Sequence, residues 1–151
     1  MKISARWSVA LLVMCAVAAG SALALAHTGE HVARMNGDKE VPGPGDPNGR
    51  GRAVIKSASE AETVCYKITF KGIRPATAAH IHEGTRTESG DVVVKLFEFD
   101  KPKRGPIDRC KHNVSGTLIE EIHDNPSGYY VNVHNRQFPD GAIRGQLKER
   151  S

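Results

Sequence analysis

The stretch Thr63 to Lys71 (TVCYKITFK) constrains the fold more than any other part of the chain. Val64, Tyr66, Ile68 and Phe70 alternate with Cys65, Lys67, Thr69 and Lys71. A period of two puts the first set on one face of a strand and the second on the other, the pattern of a half-buried β-strand. Gly72 and Pro75 end it. Similar short runs recur, separated by turn-rich stretches. His31 to Asn36 and Arg50 to Ser57 read as early strands, and Glu40 to Gly49 (EVPGPGDPNG) between them reads as a loop. Ala78 to His82, Asp91 to Phe99, Asn113 to Ile119, Gly128 to Asn135 and Ala142 to Lys148 bring the expected total to about eight strands. One helical turn is expected at Ile119 to Asp124 before Asn125-Pro126 stops it. With no internal repeat, the fold class is all-β, a sandwich or barrel.

The first 26 residues stand apart. Lys2 and Arg6 precede the apolar run Val9 to Ala19, and Ala24-Leu25-Ala26 supplies the small-x-small pattern of a signal-peptidase site. A cleavable signal peptide over 1–26 is expected, with His27 as the new N-terminus and 27–151 as one domain. The apolar run is too short for a bilayer span, which needs about 20 residues, so no membrane anchor is expected after cleavage. Leu12-Val13-Met14 before Cys15 lacks the small residue a lipoprotein site requires.

Cleavage lowers the basic count from 21 to 19 against 17 acids, a net charge of +2. The densest cationic run, Lys101 to Arg104, has no interleaved aromatic residues. Nucleic acid is not an expected partner. Cys65 and Cys110 remain as an even pair, which in an oxidising, secreted or periplasmic setting favours a disulfide over two buried free thiols.

Ala78-Ala-His-Ile-His-Glu-Gly84 carries the residues of most chemical interest. Histidines at i and i+2 on a strand share a face, so His80 and His82 are positioned to share one metal ion, copper or zinc by ligand type. His134 is the first candidate for a third ligand, with His112 and His123 behind it. In the strand Gly128 to Asn135, Tyr130, Asn132 and His134 share one face. The alternative is that these histidines hydrogen-bond backbone or carboxylate groups and fix loops. Arg144 lies opposite Ile143 in the Phe138 to Leu147 segment and is expected to pair with Glu83 or a ligand carboxylate. There is no G-x-S-x-G elbow, phosphate loop, C-x-x-C pair or H-E-x-x-H helix, and the carboxylates are scattered singly. An enzyme is not expected.

Several segments together resemble the chordin-type (CHRD) domain. They are Met35 to Pro42, Gly49 to Ala53, Phe70 to Ile73, Ala79 to Gly84 and Gly90 to Val93, then Asn125 to His134 and Phe138 to Leu147. The resemblance implies an immunoglobulin-like Greek-key β-barrel with limited similarity to copper–zinc superoxide dismutases, in a family without an assigned biochemical role. In chordin such domains belong to an extracellular growth-factor antagonist, a role that does not carry over to one free-standing domain. The chain departs from the family pattern at Asp100 to His112, which carries Cys110 and is expected to be an inserted loop stapled to the Cys65 strand. A dismutase needs six histidines and an aspartate. Only five histidines lie beyond His27 and His31, so that activity is not expected. The expected function is a non-enzymatic binding or structural module whose partner is a protein or a small ligand. The alternative is a copper- or zinc-binding protein, conceivably redox-active. Its metal binding is expected to weaken as pH falls through about 6.5, the ordinary imidazole value.

Overall fold

The computed structural model describes residues 28–150. The leader expected over 1–26 lies outside them. Eight antiparallel strands form one nearly closed, barrel-like sheet in the order β5-β4-β7-β8-β1-β2-β3-β6. The strands are β1 Thr28–Asn36, β2 Arg50–Ala58, β3 Thr63–Lys71, β4 Ala76–Glu83, β5 Val92–Lys103, β6 Ile107–His112, β7 Tyr129–Asn135 and β8 Ile143–Glu149. β5 and β6 stand at the two ends of this order, yet a short turn joins them in sequence, which brings the ends of the sheet together.

Alternation builds the core. Val64, Tyr66 and Ile68 of β3 are buried, as are Ala53 and Ile55 of β2, Ala33 and Met35 of β1, and Ile143 and Leu147 of β8. The Tyr66 hydroxyl donates to the Leu96 carbonyl of β5 at 2.7 Å, so the one polar atom of this core tyrosine is satisfied inside.

Two expectations are corrected. Residues 113–119 do not form a strand. Asn113 adopts a left-handed φ of 59°, which breaks the extended chain, and α1 follows over Gly116–Asp124. Its buried Ile119 and Ile122 are three residues apart, the spacing of a helical apolar face. Asn125 and Pro126 end it as expected. The Asp100 to His112 segment is also not a loop. β5 continues through Lys103, and β6 then pairs with β3 from Ile107↔Ile68 to His112↔Thr63. Cys110 and Cys65 stand directly opposite each other in that ladder and form a disulfide, with Cα atoms 3.9 Å apart. The bond lies on the outer surface, where Cys110 is exposed.

Candidate metal centre: three histidines on a buried outer face

Most of the sheet has a wet outer face. The exception is the strip formed by β4, β7 and β8. Every β7 residue except His134 is buried, and β8 is buried from Ile143 to Leu147, including its outward-facing Arg144 and Gln146. The loops cover this strip. The loop from Gly84 to Asp91 folds back over it, with Gly84 at a φ of 148° that favours glycine. Arg144 Nη2 donates to the Thr85 carbonyl at 2.6 Å, Gln146 Nε2 to the Gly84 carbonyl at 2.5 Å, and the Gly90 N–H to the Tyr130 hydroxyl at 3.2 Å.

Register brings the histidines together under this cover. His80 is opposite Asn132 and His82 opposite Tyr130, while His134 is opposite Ala78 and therefore diagonal to His80. All three rings face outward. His80 Nδ1 lies 3.1 Å from His134 Nε2. One nitrogen from each ring can be chosen so that all three lie within 4.8 Å of one another. The expected trio therefore converges.

The other ring nitrogens define the protonation pattern. His82 Nδ1–H donates to the Gly90 carbonyl at 2.8 Å and His134 Nδ1–H to the Pro139 carbonyl at 2.9 Å. Both rings then turn an Nε2 lone pair inward. The Asn132 carboxamide bridges these nitrogens, its Oδ1 position 3.1 Å from His82 Nε2 and 3.0 Å from His134 Nε2. Oxygen and NH2 occupy equivalent places on a carboxamide, and neutral rings held this way are served by the NH2 end. His80 Nε2 faces Glu98 Oε1 at 3.5 Å without a hydrogen bond.

Electrostatics favours neutral imidazoles. Burial, reinforced by the neighbouring His134 and His82, lowers His80 from the ordinary 6.5 to about 4. Burial also lowers His134, against the opposing effect of its bond to the Pro139 carbonyl. A neutral imidazole is the form that ligates a metal.

The remaining candidates fall elsewhere. His112 lies at the exposed end of β6, its Nδ1 3.1 Å from Thr63 Oγ1. His123, on α1, stacks on His31 with ring centroids 5.2 Å apart and shares a hydrogen bond with Ser57 Oγ at 2.8 Å. Neither joins the trio. Arg144 does not pair with Glu83, which is exposed and makes no ion pair among the described residues. Instead its guanidinium lies over the Tyr130 ring, 3.3 Å from the centroid, and His82 stacks on Tyr130 at 4.7 Å. The carboxyl that acts on Arg144 is Glu40, missed in the sequence because it sits in the Pro/Gly-rich loop. Glu40 is buried against Gly141, where a Cβ would come within 2.5 Å of its carboxyl. That burial raises Glu40 from 4.5 to about 7, against the pull of Arg144. Asn132 was legible as a face-mate of His134, but its bridging role depends on the register of β4 against β7.

An all-β barrel with a disulfide on its surface and a polar cluster under its loops defines a disulfide-bonded β module. The chain belongs to the CHRD domain family, whose pattern it matches over residues 31–147. No curated protein and no solved structure matches it. Family and disulfide fit an extracellular or periplasmic protein, and among the described residues no helix is long and apolar enough to cross a membrane.

Proposed function

We propose that this chain is an exported, non-enzymatic module that holds one copper or zinc ion on His80, His82 and His134. The observation that carries this reading is the inward convergence of three imidazoles, two of them oriented by backbone carbonyls through their other nitrogen. Such an outer hydrogen bond fixes the tautomer and aims the lone pair, as it does for metal-ligating histidines generally. Imidazole nitrogen suits copper and zinc, whereas magnesium and calcium take oxygen ligands. Ligand nitrogens about 2.0–2.1 Å from a zinc ion stand closer together than the widest spacing here, so the rings must draw in slightly. His80 needs its proton on Nε2 to offer Nδ1, and Glu98 is placed to receive that proton's hydrogen bond.

Burial moves the acid limit. Because burial lowers His80 to about 4 and lowers His134 as well, these two ligands stay deprotonated and available to the metal below pH 6.5. The direct His80–His134 hydrogen bond favours a second reading, in which the cluster only ties β4 to β7. Calorimetry separates the two. A protein with a residue other than His at position 27 removes the copper site that a free N-terminal histidine would create. On that background one Cu²⁺ or Zn²⁺ site should appear, tighter than for Mg²⁺ or Ca²⁺, and both His80→Ala and His134→Ala should abolish it. Binding unchanged in both variants, or seen only at millimolar metal, would leave the structural reading.

A further inference from the structure

On the far side of Tyr130 from His82, a cavity of about 410 Å³ opens beside β1 and β8. Arg34, Lys39, Arg86, Arg144 and Lys148 line it, against the single carboxylate of Asp38. Its apolar wall comes from Val32 and Val41. Four of these cations are exposed, but Arg144 is only 1 % exposed. One guanidinium nitrogen is committed to the Thr85 carbonyl, while Nη1 is buried and donates no hydrogen bond. Glu40 does not neutralise it, since among the described residues no carboxylate oxygen lies within ion-pair distance of Arg144.

An unpaired buried charge with an unused donor is costly unless something compensates it. Mutual repulsion adds to the demand. Lys39 is lowered first by burial and then by Arg86, Lys148 and Arg34. The cavity size suits a small ligand, and the mixture of apolar wall and convergent cations suits an anion with an apolar body. A guanidinium offers planar, paired donors to carboxylate or phosphate oxygens.

We propose that this cavity binds a small organic oxyanion, a carboxylate or phosphate monoester, which balances the buried charge of Arg144 and rests its apolar body on Val32 and Val41. The exposed Arg34, Lys39, Arg86 and Lys148 draw the anion in and hold its outer oxygens. This site does not depend on the histidine cluster.

The purified protein, freed of metal on a chelating resin, should be titrated at constant ionic strength with benzoate, phenyl phosphate and inorganic phosphate. Benzoate and phenyl phosphate distinguish the two oxyanion sources, and inorganic phosphate lacks the apolar body. At least one organic anion should saturate a single site with a Kd below about 1 mM, more tightly than inorganic phosphate. Arg144→Gln should weaken it roughly tenfold or more, because it removes the buried charge that the anion balances. Because Arg144 is buried, the exposed double variant Arg86→Gln/Lys148→Gln carries the same test without risk to folding and should also weaken binding several-fold. Lys67→Gln, on β3 and outside the cavity lining, should leave it unchanged. No saturable binding of any probe below about 10 mM, or parental affinity in the double variant, would overturn the proposal.

Discussion

The outer faces of two parts of the same barrel follow opposite rules. On β3 and β6, outward residues meet water. The Lys67 and Asp108 side chains are 58 % and 71 % exposed, and their ammonium and carboxylate lie 3.9 Å apart. On β4, β7 and β8, outward residues are still polar but buried: Asn132 is 3 % exposed, Tyr130 2 % and Arg144 1 %. The inner faces of both regions are apolar and alike. A sheet that needs only a core can leave its second face to solvent, whereas burying polar groups costs stability unless each finds a partner. The wet face therefore has the pattern of a scaffold. The covered face holds three converging imidazoles, a buried carboxyl and an arginine with an unused donor, an arrangement that stability alone does not call for.

This contrast sets the expected size of each perturbation. On the wet face the disulfide dominates. Cys65 and Cys110 close a loop across 45 positions, so Cys65→Ala/Cys110→Ala should cost about 4 kcal/mol on the chain-entropy account, measured by urea denaturation. Metal binding at the histidines should survive wherever the variant is folded, because neither cysteine lies on the strands β4 and β7 that carry them. Loss of less than about 1 kcal/mol would mean that β6 is held by its ladder alone.

On the covered face the largest single effect should come from Glu40. Its folded value of about 7 exceeds the unfolded 4.5, so its contribution to stability falls as pH rises from 4.5 to about 7. Glu40→Gln should therefore stabilise the protein by up to about 3 kcal/mol at pH 8 and leave it nearly unchanged at pH 4. His80 acts in the opposite direction. Its folded value near 4 lies below the unfolded 6.5, so stability drains away as pH falls from 6.5 toward 4. Denaturation midpoints of the parent and Glu40→Gln across pH 4–8 should diverge only on the alkaline side. Parallel curves would show that Glu40 is not held in its buried setting.

The smallest pair of effects compares the faces directly. Asn132→Ala removes the buried amide that bridges the His82 and His134 rings and should cost about 1–3 kcal/mol. Lys67→Ala breaks an exposed pair and should cost less than about 0.5 kcal/mol. Equal costs would erase the distinction between the two faces.

Much of this was legible in the chain because strand alternation is a local signal. β3, β7 and β8 follow the apolar period, and the H-x-H spacing places His80 and His82 on one face before any pairing is known. The convergence of His134 depends on its strand lying next to β4, which the register of the two strands delivers. What the sequence concealed is non-local. α1 was obscured because Val114, Leu118 and Ile119 also suit a short strand, and the left-handed turn at Asn113 decides against it. β6 carries charge at three of its six residues, and half of its identity lies in the partner it pairs with. Glu40 looks like any loop carboxylate until Gly141 closes on it.

The central claim is that the covered face is a metal site, and its most direct test is a crystal of the zinc-loaded protein measured above and below the zinc absorption edge. The account predicts one anomalous peak among the His80, His82 and His134 rings, within about 2.0–2.1 Å of one nitrogen from each. Asn132 should then be displaced from between the His82 and His134 nitrogens. A peak only at His27 or at a lattice contact, with the His80–His134 hydrogen bond intact in zinc-soaked crystals, would contradict it.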